Sequence, residues 1–287
     1  MADERAQQAL DGILAGEKLL RHEPRVAYNG AAGVPIREQV LERRGEQVLT
    51  RNVYGARCLN SPNACFLDID FPTLHFGEVA RMSAFPVLVV AVIAGLVGHS
   101  ILIGIAAFIA LVLAFYCYGI VKERRLPARA VEWRREAIAR VEAFSKAHAD
   151  WGMRLYNTPN GLRVLLTHRE FAPTEPEVQQ CFSALQCDPV YVAMCQRQQC
   201  FRARVSPKPW RIGMKERLRP RPGTWPVKPS WLPIRDVWIQ KYEALAASYA
   251  SCRFVAQLGE QAVAASLRDV VEWHDEMCGA HSQRQLA

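Results

Sequence analysis

Residues 85–121 read FPVLVVAVIAGLVGHSILIGIAAFIALVLAFYCYGIV, a run of 37 without one Lys, Arg, Asp or Glu. A helix on the surface of a globular protein carries a polar face, and this stretch offers none. It is too long for one crossing of a hydrocarbon core about 30 Å thick, which takes about 20 residues. It divides at Gly98-His99-Ser100 into 85–97 and 101–121, which reads as a two-helix transmembrane hairpin. Arg81 precedes the run, Lys122, Arg124 and Arg125 follow it, and its central turn has no Lys or Arg. The positive-inside rule therefore puts both ends, and both termini of the chain, in the cytoplasm. Two alternatives stay open. A wholly buried soluble hairpin would need cover for an uninterrupted apolar face, and the short first span also suits a shallow re-entrant hairpin.

Outside this run about 250 residues remain, enough for one mid-sized domain or two small ones. The opening Met1-Ala2-Asp3-Glu4-Arg5 has no basic region followed by an apolar one, so no secretory signal peptide is expected and the hairpin itself directs insertion. Nine cysteines, an odd number with no Cys-x-x-Cys pair, argue for reduced thiols rather than a disulfide frame or a zinc site. The net charge is +8, and it is concentrated: between Arg197 and Arg221 nine Lys or Arg stand against the single Glu216. Anionic partners follow, either the head groups of the lipid bilayer or the phosphates of a nucleotide or nucleic acid.

Along the chain, 4–21 has the spacing of an amphipathic helix, and short strand-like runs alternate with turn signals over 25–57, which predicts an antiparallel meander. Cys65 to Pro72 reads as a strand with Phe66, Asp68 and Asp70 on one face and Leu67, Ile69 and Phe71 on the other. Beyond the apolar run, 128–149 predicts a soluble amphipathic helix, and 154–167 a β-hairpin turning at Thr158-Pro159-Asn160-Gly161. A short helix after Pro176 and another opened by Asp188-Pro189 follow. Alternation over 201–205 predicts a strand that displays Arg202 and Arg204. A proline-rich arm at 206–233 and two closing helices at 234–257 and 261–278 complete the reading. The fold class is α+β: a cytoplasmic domain with a mixed or antiparallel sheet, interrupted by the two-helix transmembrane hairpin and closed by C-terminal helices. Its parts are 1–84, 85–121 (the hairpin), 122–213 (the second part of the same domain) and 214–287 (the arm and the helical pair).

Asp68-x-Asp70 carries the strongest chemical signal. Carboxylates at i and i+2 on a strand point the same way and can share a divalent cation, or they can pair with Arg163, Arg202 or Arg204 as a buried structural network. No glycine-rich phosphate loop is present, which removes the familiar NTPase and dinucleotide readings. His274 and Asp275 are adjacent on a helix, where side chains diverge by about 100°, so they are not expected to form an orienting pair by themselves. The cysteines read as small apolar packing groups with no His positioned to activate them. Trp210, Trp225 and Trp231 suit base stacking, interfacial anchoring, or packing of the arm on its own domain.

The segments FLDIDFP at 66–72, YNTPNGLRVLLTHR at 156–169 and CFRARVSPKPWRIG at 200–213 resemble a family of bacterial proteins described only as hypothetical or transmembrane. Phe66-Leu-Asp-Ile-Asp70 also resembles the first catalytic motif of archaeo-eukaryotic primases, an apolar strand ending in Asp-x-Asp whose acids hold the catalytic metal. The helix at 128–149 and then Tyr156 to Arg163 follow the order of that family's helix and strand-turn-strand, with Arg163 where its phosphate-binding His would be and His168 further along. Asp188 is the candidate for the family's third acid, although Asp followed by Pro at a helix start is better read as an ordinary N-cap with Pro at its first position. The resemblance implies a metal-dependent nucleotide-binding or nucleotidyltransferase module of the bacterial inner membrane. Asp68 and Asp70 would hold Mg or Mn, and Arg163, Arg202, Arg204 and Lys208 would contact phosphate. The alternative is a non-catalytic membrane-anchored adaptor or scaffold with a basic docking surface.

Overall fold

A computed structural model describes residues 7, 10–12, 14–16, 37–72, 87, 89–221 and 225–287, with the backbone alone over 119–128. The expected strand at 26–28 and most of the expected helix at 4–21 lie outside the described residues. Four strands, β1 (Gln39–Arg44), β2 (Gln47–Arg51), β3 (Arg57–Ser61) and β4 (Phe66–Asp70), precede the apolar run. After it come the helix α1 (Ile101–Ala147), strands β5 (Met153–Thr158) and β6 (Gly161–Leu166), helices α2 (Pro176–Ala184) and α3 (Pro189–Gln198), and strand β7 (Phe201–Arg204). The chain closes with α4 (Leu232–Ala246), β8 (Tyr249–Ala250), β9 (Arg253–Leu258), α5 (Arg268–Cys278) and β10 (Gln285–Leu286).

The strands on either side of the apolar run pair with one another, as an insertion within a domain requires. One antiparallel sheet has the order β1-β2-β3-β7, and a second has the order β4-β6-β5-β9. The β5–β6 turn brings Gly161 so close to β4 that a Cβ there would stand 2.0 Å from the Ile69 carbonyl oxygen, so only glycine fits. Asn160 fixes the same corner by donating from Nδ2 to the Phe71 carbonyl at 2.9 Å. Every residue of β6 is buried, consistent with its central position and its near-continuous apolar sequence. The main core gathers Phe66, Leu67, Tyr156, Val164 and Trp273 with Ala137 and Val141 of α1. A second core holds the proline-rich arm: Ile212, Met214 and Leu218 pack with Trp238 and Tyr242 of α4.

Two elements differ from the sequence expectation. The apolar segment and the amphipathic helix after it form one helix of 47 residues, because the Ala, Arg and Glu residues over 128–143 sustain it until Ala137 and Val141 dock on the core. Residues 253–258 form strand β9 rather than the end of a helix: Phe254, Ala256 and Leu258 turn to the sheet and the exposed Val255 and Gln257 away, a period of two. Gly259 stops the strand at φ +78°, where a Cβ would stand 1.7 Å from the Trp151 carbonyl oxygen.

His168, just past β6, is enclosed by Trp151 and Phe171 at ring-centroid distances of 4.6 and 5.2 Å. Burial pushes its pKa down, against the hydrogen bond to the Gly152 carbonyl. The unfolded chain then holds the proton more tightly, so this contribution is complete above about pH 6.5 and is lost as pH falls through the lower folded value. Urea midpoints at about pH 7.5 and about pH 5 should show stability falling with acid, and His168→Phe should flatten that fall. Identical pH slopes in the two proteins would refute the assignment.

Candidate functional site

Asp68 stands opposite Arg163 in the β4–β6 register, which is why their side chains meet. Nε of Arg163 donates to one carboxylate oxygen at 2.7 Å and Nη2 to the other at 3.0 Å, a two-pronged ion pair. Nη1 donates to the Arg204 carbonyl at 3.1 Å and lies 3.3 Å from His274 Nε2. Arg163 is only 2% exposed. Burial opposes its charge, but the Asp68 carboxylate more than offsets this and holds its pKa above the ordinary value. Of the two arrangements open to Asp68, the structure contains the ion pair, and it turns Arg163 inward as a counter-ion. Arg202 is likewise not displayed. Its Nη2 donates to both Glu38 oxygens at 2.7 and 2.6 Å, because the face of β7 that it occupies is covered by the chain entering β1.

Asp70 ends β4 on the same face as Asp68, is exposed, and has no hydrogen bond to any described side chain. Asp188 caps α3, accepting from the Val190 and Tyr191 amides at 3.2 Å each, and its own amide donates to the Asp68 carbonyl at 3.0 Å. Desolvation raises the Asp70 pKa, as do the charges of Asp68 and Asp188, against the pull of Arg204 and Lys208. Facing these acids are Arg204 of β7, Lys208, and Arg211 in a short 3₁₀ turn at Pro209–Ile212. Burial and then the Arg204 charge push the pKa of both Lys208 and Arg211 down. Among the described residues, Nη1 of Arg211 is buried without a hydrogen-bond partner. The exposed Trp210 beside them meets Tyr54 edge-on at 5.3 Å, and the Lys208 ammonium lies 5.6 Å from its ring centre.

A second group was not expected from the sequence. Cys278 Sγ is 3.5 Å and Cys252 Sγ 3.9 Å from His274 Nε2, and all three side chains are buried. His274 Nδ1 is 3.0 Å from Asp275 Oδ1, so neighbours expected to diverge do form an orienting pair. They meet because Asp275 is drawn inward by Arg154, whose Nη2 donates to Oδ2 at 2.6 Å, with His281 Nε2 at 3.0 Å from the same oxygen. Burial opposes the charged thiolate of Cys278, but the hydrogen bond from Cys252 and the His274 charge hold its pKa well below the ordinary value. The legible signal was His274-x-x-x-Cys278, two ligand-type side chains one turn apart on a helix. No protein-family model, curated protein or solved structure matches this chain.

Proposed function

We propose that the protein is a membrane-anchored domain that binds a phosphate-bearing ligand of the nucleotide class at the face formed by Asp70, Asp188, Arg204, Lys208 and Arg211. The observation that carries this reading is the Arg211 guanidinium, which among the described residues keeps a buried donor without a partner, beside cations that repel one another. A buried donor left unmade costs about 1–3 kcal/mol, which an anion relieves. The acids beside it are oxygen donors suited to Mg or Mn. Asp70 and Asp188 would hold such an ion, with Asp68 behind them on Arg163. A metal of this kind supplies charge neutralisation at the phosphates. Trp210 offers a ring face for a base.

The anchor is a transmembrane hairpin at the bacterial inner membrane, with both termini cytoplasmic. Ile101–Tyr118 has a mean hydropathy of 2.5, and none of that stretch is buried by the other described residues. Residues 89–97 are helical, and the chain reverses at Gly98-His99 so that a Cβ on Gly95 would stand 3.3 Å from the Gly104 Cα, the close approach of small residues common between membrane helices.

The hold of Arg163 on both oxygens of Asp68 favours a second reading, a non-catalytic adaptor in which the basic face docks an acidic partner. Thermal melts with Mn²⁺ and a nucleoside triphosphate separate the two. The first reading expects a rise in melting temperature with both present, lost in Asp70→Asn. It also expects Asp70→Asn to be at least as stable as wild type without ligand, since the change relieves repulsion from Asp68 and Asp188. A wild type indifferent to metal and nucleotide leaves the adaptor.

A further inference from the structure

Cys252, His274 and Cys278 come from two stretches that backbone hydrogen bonds hold together. The Ser251 amide donates to the Cys278 carbonyl at 2.9 Å, and the Phe254 amide to the Ala280 carbonyl at 3.0 Å. Gly279 ends α5 in a left-handed conformation at φ +65°, immediately after Cys278. Three donor atoms, two sulfurs and His274 Nε2, thereby lie within 4.8 Å of one another, with sulfur-to-nitrogen distances of 3.5 and 3.9 Å. A tetrahedral zinc ion, with Zn–S of about 2.3 Å and Zn–N of about 2.0 Å, sets its ligand atoms roughly 3.4–3.8 Å apart. The triangle matches that spacing to within small side-chain rotations.

We propose that Cys252, His274 and Cys278 form a binding site for a divalent cation of the zinc class, with the fourth position taken by water or another small ligand. Two thiolates and a divalent ion are neutral together, which suits a buried site. The sulfur and imidazole donors select zinc over Mg or Mn, which prefer oxygen. Asp275 on Nδ1 supplies the carboxylate that typically orients a ligating imidazole, and Arg154 and His281 hold Asp275 in turn. Arg163 approaches the same Nε2 at 3.3 Å. On metal binding it gives up this contact and keeps its bonds to Asp68 and to the Arg204 carbonyl. A surface groove lined by Arg154, Val271, Asp275, Gly279 and His281 borders the Asp275 side of the group, next to the ligand-orienting carboxylate rather than the ligands themselves. The inference is independent of the phosphate face.

The test is metal analysis of the full chain, purified in detergent with a phosphine reductant and no chelator, followed by exchange with Co²⁺. The expected result is stoichiometric zinc and a cobalt form with thiolate-to-metal charge-transfer absorption. That absorption should be lost in Cys278→Ser and in Cys252→Ser. Ligand variants risk misfolding, so Asp275→Asn, which spares all three donors, is the second probe, expected to weaken zinc binding about 10–100-fold. A reduced wild type that takes up neither zinc nor cobalt overturns the proposal. So does full retention of zinc by the Cys278→Ser variant.

Discussion

Arg163→Met is expected to destabilise the domain by about 3 kcal/mol, the lower end of the range for breaking a buried ion pair, because the Asp68 side chain keeps 23% of its exposure. The change leaves the Asp68 carboxylate uncompensated and the Arg204 carbonyl without its side-chain donor. For a domain of this size the loss corresponds to about 6–12 °C in melting temperature. Adding Asp68→Asn removes the stranded charge, so the double variant should recover most of the stability, and a double-mutant cycle should return a strongly favourable coupling. Additive losses in that cycle would mean that the two side chains serve separate networks.

Replacing 85–121 with a polar linker is expected to move the protein from the membrane pellet to the supernatant and leave a cooperative melt. The two sheets that would remain draw strands from both sides of the excision, and Ala137 and Val141 on the retained part of α1 still pack on the main core. The entropic cost of the linker grows only as about (3/2)RT ln n, so its length matters little once it spans the gap. Aggregation at every linker length would make the apolar run part of the domain core. Carbonate release of the intact protein would remove the membrane anchor altogether.

Much of the sheet framework was legible because its signals are local. The β5–β6 hairpin follows from a Pro-Asn-Gly turn between apolar runs, β4 from alternation that ends at Pro72, and the N-cap of α3 from Asp188-Pro189. What was misread depends on contacts across the chain. In β9 the alternating Phe254, Ala256 and Leu258 were absorbed into a helical reading, since their partner strand β5 lies about a hundred residues earlier and no local turn announces the pairing. Arg202 looked displayed because alternation shows which face a side chain takes, not that Glu38 covers it. The Cys-His group needed a tertiary fact, the arrival of Cys252 beside the last turn of α5. The His274–Asp275 pair needed Arg154 to draw the carboxylate round.

Under the proposed membrane anchor, the length of α1 would set a working height. If 101–121 lies in lipid as proposed, the helix, which continues without a break to Ala137 and docks there on the core sixteen residues further along, would give a stand-off of about 24 Å. A flexible tether of equal length would let an anchored domain sample many heights and tilts, whereas a helical post would confine the basic face to one layer above the bilayer. Confinement of this kind raises the effective concentration of ligands that are themselves held at the membrane, and does nothing for ligands free in bulk. Competition between a membrane-tethered and a soluble form of the same ligand should therefore favour the tethered one far beyond the ratio of their intrinsic affinities.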